Sequence, residues 1–351
     1  MRQPTPRLKD VAEQSGVHLS TVSRALNNQT AAMVRPETAR RVHLAAQKLG
    51  YRVDGVARAL KTRHSMSIGI MIPDITNPFF PPAVRGAEEV FTACGYSVML
   101  SSTNNDIGTA HTQFDAMIQA RVDGLLLGMI RREDPIVDQL RSSGIPTVLF
   151  NRTIDTEDFS SVVPDDAYGS QMAVEHLHKL GHRKLGLVVG PVFTSTADSR
   201  LRAVREEVKK LGIQCHVVEA RGFDETAGQY AMEQMLRESP EVTAVIASND
   251  LIALGVIDSI RGAGMDCPQD ISVVGFNDMP LAGRLQPPLT TVNVPEYELG
   301  RLAAECLLRE MSDPDRKHES ILIPVNLVVR GSTAPVRPST STAVNSIRPN
   351  T

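Results

Sequence analysis

Nothing in the chain reads as a membrane crossing, because no run reaches the roughly 18 apolar residues that a bilayer span needs. The first ten residues, MRQPTPRLKD, hold no apolar stretch, so nothing directs the chain to secretion. Only four cysteines occur in 351 residues: Cys94, Cys215, Cys267 and Cys306. They lie far apart and fit neither a zinc-ligand spacing nor CxxC, so they read as reduced thiols that mostly pack, in a cytoplasmic protein. Glycine-rich phosphate cradles are missing too. GLVVGP (186–191) is the only glycine pair after a strand, it is not GxGxxG, and no P-loop occurs. No nucleophile–base–orienter set stands out, and no metal or other cofactor is expected.

What is present is a charge asymmetry. The formal net charge of −3 hides a cationic head on an anionic body. Residues 1–63 hold 12 Lys+Arg against 4 Asp+Glu, net +8, while the other 288 hold 25 against 36, net −11. A basic end of this kind is the electrostatic footprint of a phosphate-binding domain. At 351 residues and 42% apolar composition, the chain is long enough for about two or three domains with real cores.

Within the basic end, LKDVAEQSGVHLSTVSRALN (8–27) organises the rest. Leu8, Val11 and Ala12 recur at the spacing of an amphipathic helix. Gly16 then accepts a tight turn, and Val17 is apolar directly after it. A second short helix, about Leu19–Leu26, turns Val22 and Leu26 inward and leaves Ser20, Thr21, Ser23 and Arg24 outside. This is a helix-turn-helix pattern whose second helix suits a major groove. A third helix starts at Pro36, carries Thr38, Val42, Ala45 and Leu49 on one face, and ends at Gly50. Asp54–Lys61 (DGVARALK) reads as one or two further helical turns, with Val56, Ala57 and Leu60 in a stripe flanked by Arg58, Lys61 and Arg63. So short a helix is marginal alone and needs a partner, its copy in a dimer or DNA.

From Ser67 the texture becomes alternating β and α. Strands are read at 67–73, 96–102, 124–129, 147–150, 185–190, 215–220, 243–248 and 271–276. Helices are read between them at 81–94, 109–120, 135–142, 167–180, 199–211, 225–237 and 251–263, and a further one at 296–311. Short apolar strands separated by helices mean parallel sheets covered on both faces. Two such series mean two similar α/β lobes. The end of the chain, rich in Ser, Thr and Pro, reads as disordered.

Polar residues collect where strands end: Asp74 and Asn77, Asn151 and Arg152, Thr194, Ser195 and Arg200, Asn249 and Asp250, Asn277 and Asp278. Ligands of open α/β sheets bind beyond the carboxyl ends of strands, and such a set suits a polyhydroxyl ligand. The same residue types also cap helices, so each member alone reads either way.

Seven motifs in order now resemble the LacI/GalR family of transcriptional regulators: LKDVAEQSGVHLSTVSRALN (8–27), YRVDGVARALKT (51–62), IGIMIPDITNPFF (68–80), VEHLHKLGHRKLGLVVGP (174–191), IASNDLIALG (246–255), CPQDISVVGFNDMPLA (267–282) and PPLTTVNVP (287–295). The resemblance implies a homodimer of subunits with a helix-turn-helix head (1–53), a hinge helix (54–63) and a two-lobed core (64–331) like a periplasmic sugar-binding protein. It places lobe 1 at about 64–163 and 293–323 and lobe 2 at about 164–290 and 324–331, and leaves 332–351 as the disordered tail. That tail lacks leucine heptads, so a dimer is expected rather than a tetramer.

Carried over by motif, Leu19, Ser20 and Arg24 face bases, with Thr21 and Ser23 on phosphates and His18 and Asn27 beside them. Leu60 matches the hinge leucine that wedges into the minor groove, with Val56 and Ala57 next to it. The matching effector positions are Asp74, Arg152, Arg200, Phe223, Asn249 and Asn277, with Phe80 and Phe276 as walls. Several positions depart from the family pattern. His18 and Arg35 stand where helix-capping serines are usual. Asn151 and Asn277 stand where sugar-binding members often carry Asp, which bears on the identity of the effector.

The reading is therefore a cytoplasmic, nucleoid-associated regulator. It acts as a repressor on palindromic double-stranded operator DNA under control of a sugar-like small molecule. The alternative is a corepressor-dependent regulator with a purine or other non-sugar effector. The basic head argues against a solute receptor, and the missing nucleotide motifs argue against a doubly wound oxidoreductase.

Overall fold

A computed structural model describes residues 6–26, 30–51, 64–313 and 315–337. The chain divides into two compact units, Met1–Ser65 and Met66–Thr351.

In the first unit, helix α1 (Leu8–Ser15) opens with the Arg7 amide donating to Asp10 Oδ2 at 2.6 Å, which satisfies one of the orphan donors of a helix start. It ends at Gly16, whose φ of 64° is the left-handed cap that glycine takes without a Cβ penalty. Helix α2 (Leu19–Ala25) follows, and helix α3 (Pro36–Leu49) starts on a proline and ends at Gly50, φ 65°. Val11, Val22, Ala25, Val42, Ala45 and Ala46 close a small core, with Leu8, Val17, Leu26 and Leu49 packed against it. The calls at Asn27 and over the hinge, including Val56, Ala57 and Leu60, lie outside the described residues.

The second unit begins with β1 (Ser67–Ile72), α4 (Phe80–Ala93), β2 (Ser97–Ser102), α5 (Ile107–Gln119), β3 (Gly124–Leu127), α6 (Ile136–Ser143), β4 (Thr147–Phe150) and β5 (Ser160–Pro164). It continues with α7 (Asp166–Lys179), β6 (Lys184–Val189), α8 (Ser195–Leu211), β7 (Gln214–Glu219), α9 (Glu225–Glu238), β8 (Ala244–Ala247), α10 (Asp250–Gly262), β9 (Ser272–Asn277) and β10 (Thr290–Asn293). Helix α11 (Glu296–Ser312), β11 (Ser320–Ile323) and β12 (Asn326–Val328) close it.

Among the described residues two six-stranded sheets result, in the orders β11-β5-β4-β3-β1-β2 and β12-β10-β9-β8-β6-β7. All pairings are parallel except that of β10 with β12. The chain passes between the sheets after β5, after β10 and after β11. Central strands such as β3, β4 and β8 are buried at every residue, as parallel strands covered on both faces must be. Among the described residues, no helix is long and apolar enough to cross a membrane.

Three sequence expectations need correction. Strands β5 and β10 were absent from the reading, because SSVVP and TTVN are short and half polar. Helix α8 starts at Ser195 rather than Ser199, with Thr194 as its cap accepting from the Ala197 amide at 3.4 Å. The first part of the expected disordered tail, residues 332–337, is built into the second sheet's lobe. Ser332 is fully buried, donates to the Val273 carbonyl at 2.6 Å and accepts from the Thr290 amide at 2.8 Å. The Val336 amide reaches the Leu180 carbonyl at 3.0 Å. Serine and threonine there satisfy backbone groups, a role composition does not reveal.

Helices α4 and α11 cross so closely that a Cβ on Gly300 would overlap the Ala83 carbonyl. Because the obstacle is backbone, Gly300→Ala is expected to lower stability by about 1–3 kcal/mol. Urea denaturation should show a reduced midpoint at unchanged slope; an unshifted midpoint would mean that the helices separate freely.

Candidate functional site

The head presents one polar face. On α2, Val22 and Ala25 are buried, while Leu19, Ser20 and Arg24 are exposed and Thr21 and Ser23 are half-buried. Leu19 is an exposed large apolar residue at 44%. His18 caps this helix: its Nδ1 accepts from the Ser20 amide at 3.3 Å and lies 2.8 Å from Ser20 Oγ. Arg35, by contrast, makes no side-chain cap for α3. The departure at His18 therefore preserves the cap, and the one at Arg35 gives it up.

In the core, side chains from both sheets converge on one cleft beyond the carboxyl ends of the strands. The first sheet contributes Asn77, Phe79 and Phe80 after β1, and Asn151 and Arg152 after β4. The second contributes Thr196 and Arg200 from α8, Phe223 after β7, Asn249 after β8 and Asn277 at the end of β9.

Each strand end aims its residue by local rules. Asn249 caps α10, accepting from the Ile252 amide at 2.7 Å, and its Nδ2 donates to the Phe223 carbonyl at 2.9 Å. Capping and facing the cleft are thus both roles of this one residue. Asn151 and Asn277 hold φ of 62° and 115°. Asparagine tolerates the first better than most residues do, and the second lies in a sparsely populated region whose strain costs about 1–3 kcal/mol.

The two arginines differ. Arg200 is clamped: Nε and Nη2 each lie 2.8 Å from Asp166 Oδ1, Nη1 donates to the Ser248 carbonyl, and the guanidinium sits 3.6 Å from the Phe276 ring centroid. Arg152 is 4% exposed and has no carboxylate partner among the described residues. Its Nη1 donates to Asn105 Oδ1 at 3.1 Å, its guanidinium lies 5.1 Å from the Phe223 ring centroid, and its Nε has no hydrogen-bond partner. Burial, with Arg131 and Arg200 nearby, pushes the Arg152 guanidinium down to about 9.

Of the eight effector positions expected from sequence, Phe80, Arg152, Arg200, Phe223, Asn249 and Asn277 come together in the lining. Phe276 lies under Arg200. Asp74 is not in the lining; its Oδ1 accepts from the Thr76 amide at 2.8 Å and the Thr76 hydroxyl at 2.7 Å, closing its own loop. Asn77, Phe79, Asn151 and Thr196 line the cleft but were not named as site residues. Asn77 and Asn151 carried the strand-end signal, whereas Thr196 fell in a stretch read as loop.

The lobes also touch beside the cleft. The Thr153 amide donates to Ser195 Oγ at 2.8 Å, and Arg132 pairs with Asp155 at 2.9 Å and Asp198 at 3.1 Å. Of the cysteines, Cys94 is exposed, and burial raises the thiols of Cys215, Cys267 and Cys306 to about 11, 12 and 11, values at which a thiol is inert. Among the described residues, no cluster of His, Cys, Asp and Glu could hold a metal ion.

A helix-turn-helix head joined to a two-lobed parallel α/β core with a polar interlobe cleft defines a DNA-binding regulator with an effector domain. Residues 7–54 match the lacI family of bacterial regulatory proteins, and residues 174–333 match the periplasmic binding protein-like domain. The ribose operon repressor of Escherichia coli K12 is 32% identical over 328 residues, covering 93% of this chain and 99% of that one. The HTH-type transcriptional repressor CytR of the same organism is 33% identical over 329 residues, covering 93% and 96%. Among solved structures, the lac repressor dimer bound to operator and the anti-inducer ONPF is 28% identical, with a TM-score of 0.83 over 94% of this chain and 99% of that one. A LacI family regulator from Enterococcus faecium with bound ribose is 27% identical, with a TM-score of 0.68 over 77% and 100%. The chain belongs to the LacI family of transcriptional regulators, with a periplasmic-binding-protein-like effector domain, and its work is binding rather than catalysis.

Buried acids behind the cleft give the core a pH signature. Burial pushes Asp166 up to about 6 despite Arg200, Asp250 up to about 7 despite its bonds to Thr291 and Met279, and Glu296 up to about 8. The folded state keeps these protons where the unfolded chain has released them, so this contribution to stability falls as pH rises from about 4 towards 7. His176 and His182, held below the usual imidazole value by burial, act oppositely, so the difference from a variant isolates one group. Denaturation at about pH 5 and about pH 8 should favour wild type over Asp250→Asn more at the lower pH. Parallel curves would contradict the assignment.

Proposed function

We propose that this protein is a cytoplasmic repressor that binds a palindromic operator as a homodimer and is controlled by a small, sugar-like metabolite held in the interlobe cleft. The convergence of amides, phenyl rings and two buried arginines from both sheets on one cleft carries this reading. A ligand bridging both lobes favours one lobe arrangement over another, and linkage then changes affinity for DNA. The likeness to the ribose operon repressor, and to a family member with bound ribose, supports the sugar-like class.

On the DNA side, Leu19, Ser20 and Arg24 are the base-reading residues, with Arg24 able to fork onto a guanine O6/N7 edge. His18, Thr21, Ser23 and Asn27 hold the flanking backbone. Leu60, with Val56 and Ala57, wedges the minor groove at the dyad, assigned through the resemblance. On the effector side, Arg152, Arg200, Asn249 and Asn277 bind polar groups between Phe80 and Phe223, and Asn77, Phe79, Asn151 and Thr196 join them.

The test is a titration of the full chain with operator DNA selected from genomic fragments, at fixed salt, followed by a panel of sugars, sugar phosphates and purines. Arg24→Ala is expected to weaken operator binding about ten- to a hundredfold, from the loss of one bidentate contact. Leu60→Ala should weaken it while leaving binding in the cleft intact. Asn277→Gly keeps the backbone conformation and removes the amide, so operator binding should persist while the metabolite response is lost. Arg200→Ala is a poor probe, since it strands the buried Asp166 carboxylate and costs about 3–5 kcal/mol. A metabolite response that survives Asn277→Gly would overturn the cleft assignment.

A further inference from the structure

The charges in the cleft do not balance. Its lining contains no aspartate or glutamate, and Asn151 and Asn277, at the ends of β4 and β9, are neutral amides. Four carboxylates near the cleft are engaged elsewhere, and the Glu296 carboxyl, whose Oε1 is buried and unpartnered, is pushed up by burial to about 8. Asp166 holds Arg200 at 2.8 Å. Asp250 accepts from Thr291 Oγ1 at 2.5 Å and from the Met279 amide at 2.7 Å. Asp278 pairs with Arg330 at 2.7 Å, and Asp74 closes on Thr76.

Among the described residues, Arg152 is left as a buried cation at the cleft with one side-chain hydrogen bond, to Asn105, and the Phe223 ring beside it. Its Nε is buried and unpartnered. Arg131 adds positive charge nearby: its Nη2 donates to the Asn105 carbonyl at 2.9 Å and its guanidinium lies 4.4 Å from the Phe193 ring centroid. An unpaired buried guanidinium is unfavourable unless a partner arrives. A neutral polyhydroxyl could accept from it but would leave the charge uncompensated. A carboxylate or phosphate matches the planar fork bidentately and neutralises it.

We propose that the effector is an anion, a small molecule bearing a carboxylate or a phosphate that docks on Arg152. This rests on the cleft being the effector site. The remaining lining suits a polar body: Asn249, Asn277 and Thr196 offer hydrogen bonds, and Phe80 and Phe223 offer apolar faces. The anionic group sits on the Arg152 side, because the Arg200 fork is already taken by Asp166.

The experiment is calorimetry and thermal unfolding of the full chain at matched ionic strength, with D-ribose, D-ribonate and D-ribose 5-phosphate, and with D-glucose, D-gluconate and D-glucose 6-phosphate. At least one anionic member is expected to bind about ten- to a hundredfold tighter than its neutral parent, the range of one charge-assisted contact. The carboxylate and phosphate arms then say which anion is read. Arg152→Met should abolish that preference and, by removing an unpaired buried charge, leave the ligand-free protein melting at or above the wild-type temperature. Arg152→Lys keeps charge without the fork and should retain part of the preference.

Neutral sugars binding as tightly as their anionic partners would overturn the proposal. So would anion binding unchanged in Arg152→Met, or no anion binding at millimolar concentration. Asn277→Gly separates the two layers. If a neutral sugar binds as tightly as its anionic partners and Asn277→Gly abolishes that binding, the cleft stands as the effector site and the anion falls. If an anion binds and both Asn277→Gly and Phe223→Ala leave it unchanged, it binds elsewhere and the cleft reading falls with the proposal.

Discussion

Arg200 lies between the Asp166 carboxylate and the face of Phe276, with its third donor on the Ser248 carbonyl, and these contacts hold the second lobe's end of the cleft in shape. Four elements meet on that one side chain: the first turn of α7, the body of α8, the end of β8 and the end of β9. Removing two charges from water is unfavourable by several kcal/mol per ion, and only close, well-bonded geometry offsets it. Here the geometry is close. Among the described residues the first lobe has no counterpart, because Arg152 lines the same cleft and no carboxylate does. One arginine thus has its carboxylate within its own lobe, and the other has a single side-chain hydrogen bond, to Asn105, among the described residues.

That asymmetry bears on regulation. The lobes are joined by three chain passages, by an apolar cluster that contains Phe79 and Phe80 of one lobe and Phe276 and Val292 of the other, and by polar contacts beside the cleft, Thr153 with Ser195 and Arg132 with Asp198. Such polar contacts make net free-energy differences of about 0.5–1.5 kcal/mol each, because their partners can bond to water instead. A ligand that bonds to Arg152 on one side and to Asn249 and Asn277 on the other acts on those differences directly. Of the acids behind the cleft, Asp166 and Asp250 are shut off from water, with Asp250 1% exposed.

Much of this was legible in the sequence, for physical reasons that also mark where reading failed. Buried parallel strands are continuous apolar runs, so GLLL and AVIA were plain, while SSVVP and TTVN, whose Ser and Thr face hydrogen-bonding neighbours, were not. The head was legible because Gly16 and Gly50 stand where left-handed caps are required and the apolar spacing agrees with them. Strand-end polarity found the cleft but not its members one by one. Asp74 carries the same signal as Asn77, yet it turns back on Thr76 while Asn77 lines the site. Thr196 was hidden by a helix start placed four residues late. The lone charge of Arg152 was invisible, since a missing partner is a fact of three dimensions. Residues 332–337 read as part of a disordered tail because composition cannot distinguish a serine in water from Ser332, buried and bonded to β9 and β10.

The central claim is that the cleft and the DNA-binding head share one equilibrium. Hydrogen–deuterium exchange of the full chain, with and without selected operator DNA and with no effector present, tests it most directly. The account requires operator binding to change protection at the interlobe seam, at Thr153 and along the start of α8 from Ser195 to Arg200, as well as on α2. Exchange in the core that is identical with and without operator, with all changes confined to the head, would contradict it.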